Sequence, residues 1–204
     1  MTAQLEPNAR IQPRTLLTLC GESVSLPDPT RLVHLQFRRF AGCPVCHLHL
    51  REVARREQEL EAAGIRELVF FHSSEAELRE YQAQLPRYVV ADVERRLYRE
   101  FGVEPSPRAL LDPRAYGPIL RAVSSSLLRV VRGEDTLRLP RAENGRLGLP
   151  ADFLLAPDGR LIACKYGQYV DDQWSVDELL ALARNPPLSA ANVELAEVER
   201  LAVD

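Results

Sequence analysis

Apolar and polar positions follow two rhythms along this chain, and the rhythm switches repeatedly between residues 15 and 184. Residues 32–37 (LVHLQF), 68–71 (LVFF) and 88–91 are short, nearly continuous apolar runs, the pattern of strands buried on both faces. Residues 15–19 and 23–26 predict two further short strands joined at Gly21. From 43 to 63 the period becomes helical. Cys46, Leu50, Val53, Ala54 and Leu60 form one stripe, Arg51, Arg55, Arg56 and Glu59 lie off it, and Gly64 marks the end. Residues 75–85 predict a helix stopped before Pro86, and 93–101 a short helix ending at Gly102. A longer amphipathic helix is predicted over 114–131. Its stripe of Tyr116, Ile119, Leu120, Val123, Leu127 and Val131 is expected to cover the core. Residues 152–156 and 160–166 flank Pro157-Asp158-Gly159, a hairpin signal in which proline presets the bend and glycine permits positive φ. A helix over 176–184 closes the unit before Pro186-Pro187, and the tail beyond has room for one more short helix.

Alternating strands and helices predict an α/β fold with a largely parallel centre. The expected organisation is an irregular arm over 1–14, one domain over 15–184 interrupted by an insertion at about 105–148, and a tail over 185–204. There is no internal repeat.

Composition narrows the partners. The 204 residues are 46% hydrophobic and 27% charged, and the formal net charge is −3, so a grip on nucleic acid is not expected. Lys165 is the only lysine. The arginines are interspersed with acids on the helices, which describes a solvated mixed-charge surface. The N-terminal residues lack the apolar core of a secretory signal, and no apolar run reaches the roughly 18 residues of a membrane span. The expectation is a cytoplasmic protein without membrane association, in which four cysteines are reactive or free rather than a disulfide framework.

The candidate chemistry is Cys43-Pro44-Val45-Cys46, lying where a strand ends and a helix begins. Unpaired N–H groups and partial positive charge at a helix start favour thiolate over thiol. Proline is at home in the first helical turn. Cys46 joins the buried stripe whereas Cys43 is expected at the exposed helix end, so Cys43 is assigned as the attacking thiol and Cys46 as the resolving one. Other readings are weaker. Cys43 to His47 matches a haem-attachment pattern, but the only methionine is Met1 and no export signal is visible. His47 and His49 offer zinc ligands but diverge on a helix, and no second Cys/His pair follows. Plain packing of two buried cysteines remains as the bland alternative. No cofactor or metal is assigned. Cys20 and Cys164 are expected to be packed strand residues, and His34 and His72 to be hydrogen-bonded structural histidines.

The segments Leu19-Cys20-Gly21-Glu22, LVHLQF-RRFAGCPVC-HLHL, LVFF and Leu149-Pro150-Ala151-Asp152-Phe153 through Gly159-Arg160 together resemble the alkyl hydroperoxide reductase/thiol-specific antioxidant branch of the thioredoxin superfamily. Within it they are similar to peroxiredoxin-like proteins with a CxxC pair. The resemblance spans about 15–183. It implies a thioredoxin-like fold with a central mixed sheet and a helical insertion before the C-terminal hairpin. It implies a thiol–disulfide oxidoreductase, with thiol peroxidase or non-catalytic redox sensor as alternatives, restored by a thioredoxin or glutathione system. The substrate is a disulfide or a peroxide, and a homodimer stays open. It also implies that Pro150 is a cis-proline facing the CxxC, and that Pro44, Phe40 and Arg39 line the substrate side. The chain departs from typical peroxiredoxins at Phe40, where a Thr or Ser orients peroxide, and at Gln36, where a proline is usual. It departs from typical thioredoxins at Phe37, where a buried acid is usual, and at Gly42, where a Trp is usual.

Overall fold

Strand β3 (Leu32–Arg38) divides the molecule, because successive side chains leave opposite faces of a sheet. Val33, Leu35 and Phe37 enter one layer; His34, Gln36 and Arg38 enter the other. The structure is a computed structural model describing residues 3–103, 105–106, 111–134, 145 and 147–185. Strands β1 (Arg14–Leu17) and β2 (Ser23–Leu26) form a separate antiparallel pair. Strands β4 (Ile65–Phe71), β5 (Val89–Ala91), β6 (Ala151–Leu155) and β7 (Leu161–Tyr166) join β3 in the order β5-β4-β3-β6-β7. β3, β4 and β5 run parallel; β6 and β7 are antiparallel to their neighbours, so the sheet is mixed. The predicted strand positions hold to within one or two residues, except that β4 begins three residues early at Ile65, and the Pro157-Asp158-Gly159 hairpin forms with Gly159 at φ +81°.

The odd face of β3 is an aromatic core. Phe37 stacks on Phe70 at 4.8 Å and meets Tyr98 and Phe153 edge-on at 4.9 and 5.5 Å. Phe101 fills the remaining side. Backbone pairing of Asn8, Ala9 and Ile11 with Gly159 and Leu161 ties the N-terminal arm to the hairpin.

The other face carries α1 (Pro44–Arg55), α2 (Glu57–Ala62), α5 (Tyr116–Val131) and α6 (Val176–Arg184). Four helix expectations change. The helix over 43–63 breaks at Arg56 (φ −110°, ψ 18°), whose N–H reaches back three residues to Val53 and whose side chain bridges Glu59 and Asp177. The helix over 75–85 divides into α3 (Glu75–Arg79) and a 3₁₀ turn, Gln82–Gln84. The helix over 93–101 shortens to α4 (Arg96–Glu100), because the Asp92 carboxylate accepts the N–H groups of Arg96, Leu97 and Tyr98, with Arg95 left-handed at φ 53°. The helix over 114–131 opens with a 3₁₀ turn, Pro113–Ala115, capped by Asp112.

The largest correction concerns which side of α5 is inside. Ala115, Ile119 and Ala122 pack inward, while Tyr116, Leu120, Val123, Leu127 and Val131 face solvent. Small side chains let α5 lie close against α1, and the bulky stripe is left outside. Residues 135–144 of the expected insertion and the tail helix within 186–204 lie outside the described residues. Among the described residues, no helix is long and apolar enough to cross a membrane.

Candidate active site

Cys43 is the N-cap of α1, with φ −72° and ψ 110°, and Pro44 is the first helical residue. A helix start leaves N–H groups without intrahelical acceptors, and a capping side chain takes one of them. Here that acceptor is sulfur: Cys46 N–H donates to Cys43 Sγ across 3.3 Å. The Cys46 thiol donates to the same sulfur at 2.7 Å, and Arg39 Nη1 approaches it at 3.7 Å. A turn closed by Cys43 N–H donating to Phe40 carbonyl brings Arg39 back over the helix start.

These donors have a definite electrostatic effect. Burial alone would raise the Cys43 pKa, but the Cys46 thiol, the Arg39 guanidinium and local backbone N–H groups overcome it and bring the pKa down to about 7. Cys46 moves the other way: burial pushes its thiol well up, and the neighbouring Cys43 sulfur adds to the shift. The two sulfurs are thus pushed in opposite directions, Cys43 toward thiolate and Cys46 toward thiol.

Cys43 is 0% exposed, contrary to the expected exposed helix end. The start of a helix is open only if nothing folds over it. Here Phe40, Ala41, Ala115, Ala122 and Val170 belong to the same buried cluster as both cysteines, with Leu149 packed against it.

The other predicted site residues scatter differently. Arg39 is buried, its guanidinium 5.4 Å from the centre of the Phe40 ring, so both lie beside Cys43. Pro150 departs from expectation: among the described residues the cis peptide is Leu26–Pro27, and Leu149–Pro150 is trans. The trans X–Pro bond is favoured by about 0.5–1 kcal/mol unless packing reverses it. Pro150 is held by the hairpin instead, its carbonyl accepting Gly167 N–H at 2.9 Å, while Leu149 makes the contact with the cysteine cluster. Cys20 is exposed in the turn after β1, 3.1 Å from the Thr18 hydroxyl, rather than packed in a strand; Cys164 is half-buried on β7. All four cysteines are free. His47 and His49 diverge, His47 reaching the Ala41 carbonyl and His49 turning toward Arg38. His72 is buried against Gly148, where an added Cβ would lie 3.1 Å from Nε2.

Beneath α1 lies a network that sequence reasoning missed. His34 bridges two carboxylates, Nδ1 to Glu67 at 2.8 Å and Nε2 to Asp152 at 3.2 Å. Arg38 donates to Asp152 at 2.7 Å, to Gln36 at 2.7 Å and to His49 at 3.2 Å, and Gln36 donates to Glu67. Trp174 N–H closes it on the second Asp152 oxygen at 3.1 Å. Burial works against a charged His34, but Glu67 and Asp152 outweigh it and raise the pKa to about 9. His49 goes down to about 3, through burial and the Arg38 charge. Asp152 is held far below the usual carboxylate range by Arg38 and His34 despite complete burial. The signal was present in β3: polar side chains at every second position, 34, 36 and 38, give one polar face within an apolar strand.

No family model and no curated protein matches the chain. Solved structures do. A peroxidoxin BcpB from Mycobacterium tuberculosis is similar at 12% identity, covering 89% of this chain and 97% of that one with a TM-score of 0.61. A putative thiol:disulfide interchange protein DsbE from Chlorobium tepidum is similar at 16% identity, covering 89% and 96% with a TM-score of 0.54. A reduced 2-Cys peroxiredoxin from Plasmodium vivax is similar at 11% identity, covering 87% and 80% with a TM-score of 0.58. At such identities the likeness is one of fold, and the fold is thioredoxin-like.

Proposed function

We propose that this protein is a thiol-dependent oxidoreductase in which Cys43 is the nucleophile and Cys46 the resolving thiol. The observation carrying this reading is the convergence of three donors, Cys46 N–H, the Cys46 thiol and Arg39, on the Cys43 sulfur. They favour thiolate at neutral pH and leave its partner protonated. The fold shared with peroxiredoxins and a thiol:disulfide interchange protein supports the same class of chemistry.

With a disulfide substrate, Cys43 thiolate attacks one sulfur and releases the other as a thiolate, which takes up a proton. Cys46, losing its proton, then attacks Cys43 of the mixed disulfide and releases the second substrate thiol. Substrate gains two electrons and the Cys43–Cys46 dithiol loses them. Two external thiols, as one thioredoxin dithiol or two glutathione molecules of a reducing cytoplasm, are oxidised to a disulfide and return the pair to the reduced state.

Complete burial of Cys43 favours a second form of the same reading. A peroxide can reach a covered sulfur with little opening, whereas a protein disulfide needs that sulfur at the surface. Thiolate attack on a hydroperoxide transfers one oxygen to give Cys43 sulfenic acid and an alcohol or water. Cys46 condenses with it, forming the disulfide and releasing water. Arg39 is the residue beside Cys43 able to stabilise charge on the leaving oxygen, since Phe40 offers no donor.

The test is stopped-flow oxidation of the reduced protein by hydrogen peroxide, a small disulfide and a protein disulfide in parallel. Fast formation of a Cys43–Cys46 disulfide is expected, quickest with the smallest oxidant. In a Cys46→Ser variant Cys43 sulfenic acid accumulates under peroxide. Undiminished turnover by a Cys43→Ser variant would overturn the proposal.

A further inference from the structure

Seven of the ten large apolar side chains exposed among the described residues fall between Leu111 and Val131. On α5, Tyr116, Leu120, Val123, Leu127 and Val131 recur at helical spacing on the side opposite buried Ala122, with Leu120 at 72% and Val131 at 78% exposure. Single exposed apolar residues are ordinary, but a continuous stripe of this kind marks a contact surface.

We propose that this stripe is a two-fold interface between two copies of the chain, formed by antiparallel packing of α5 on its counterpart. Three observations favour a second copy as the occupant. The first is symmetry. A two-fold contact requires the same patch to complement itself. A dyad between Val123 and Ser124 sets Tyr116 opposite Val131 of the partner subunit and Leu120 opposite Leu127 of the partner subunit. Every bulky position on the stripe thereby meets another apolar one or, at the centre, exposed Ser124, whose small side chain permits close approach.

The second is charge. Helix α5 carries Arg121 and Arg129 and no acidic residue, so a contact that opposed these cations would fail. Under this dyad Arg121 falls opposite Ser126 and Arg129 opposite Pro118, and Arg129 is already paired with Glu134 at 3.2 Å. The third is extent. Five bulky side chains, between 48% and 78% exposed, run the full length of α5, and an antiparallel copy of the same helix is long enough to cover all of them.

The contact bears on the dithiol through the other side of the same helix. Ala115 and Ala122 share the buried cluster with Cys43 and Cys46. Holding α5 between its own domain and a second copy fixes part of the cover over the nucleophile.

Sedimentation velocity of the full chain in reductant, over a wide concentration range, tests the proposal. A two-copy species is expected, and a Leu120→Glu/Leu127→Glu double variant is expected to sediment as one copy with an unchanged circular dichroism spectrum. Both positions are exposed within a single copy, so the substitutions should leave the fold intact. A Ser124→Cys variant, mildly oxidised, should form an intermolecular disulfide that the wild-type chain does not. A full chain that sediments as one copy throughout would overturn the inference, leaving the stripe to a segment of its own chain or to another protein. So would a two-copy species that survives both glutamates.

Discussion

Cys43 and Arg39 show how far a single residue's setting decides its chemistry. An ordinary cysteine is mostly thiol at neutral pH, and burial makes the thiolate scarcer still. The Cys46 thiol, the Arg39 guanidinium at 3.7 Å and the N–H groups of a helix start reverse that balance. Removing the guanidinium in Arg39→Met should raise the midpoint of Cys43 alkylation by roughly one pH unit and slow the reaction at neutral pH about fivefold. Following bimane or iodoacetamide labelling of Cys43 against pH checks both numbers; an unmoved midpoint would mean that the helix start alone activates the sulfur. Arg38 and Arg39 are adjacent in sequence yet serve opposite sides of the chain path, one in the ionic network and one at the thiolate. Period-two alternation required them to diverge, but which of them met the cysteine depended on the turn through Phe40 and Ala41.

At the scale of elements, α1 joins folding to the proposed chemistry, because its N-cap and the proposed nucleophile are the same residue. Serine is among the better capping residues, so Cys43→Ser should keep the helix start, with stability within about 1 kcal/mol of wild type. Thiol-dependent turnover should vanish. Urea unfolding beside an oxidation assay separates the two effects, and a loss of several kcal/mol would show that sulfur is needed for packing as well. Helix α5 teaches a different lesson. Its amphipathic period was plain, yet the pattern named the wrong face as inward, because helical periodicity reports that two faces differ and not which neighbour each meets. The expectation that bulk faces the core failed where close approach to α1 demanded Ala115 and Ala122.

The ionic network belongs to the whole molecule, since β3, β4, β6, α1 and the start of α6 all contribute to it or border it. Asp152 and Glu67 together balance the Arg38 and His34 charges in a buried site, and breaking such a pair by removing one partner costs on the order of 3–5 kcal/mol. Asp152→Asn should lower unfolding stability by that amount, read from urea midpoints. Two histidines set opposite pH dependences. His34, with its folded pKa raised to about 9, contributes stability that is complete below the unfolded value near 6.5 and is lost as pH rises through 9. His49, held neutral with a folded pKa of about 3, costs stability as pH falls below the unfolded value, when the unfolded chain takes up the proton first. Stability should therefore peak near pH 6.5 and fall by a few kcal/mol toward either side. His34→Gln should flatten the alkaline limb, and an alkaline limb unchanged in that variant would remove His34 as its source.

The sequence by itself determined what depends on near neighbours in the chain. Strand periodicity, the Pro-Asp-Gly hairpin, and a cysteine pair with proline at a helix start are written within a few residues, and each appears in the structure close to its expected position. Even the polar face of β3 was legible at 34, 36 and 38, although its meaning was not. Only the tertiary structure decided what depends on distant segments meeting. Asp152 comes from 114 residues away to hold Arg38, Pro150 keeps its trans bond against Gly167, and Cys43 is covered by residues on α5 and after the hairpin. Local periodicity sets which side chains share a face, whereas burial and charge compensation are properties of whatever packs against that face.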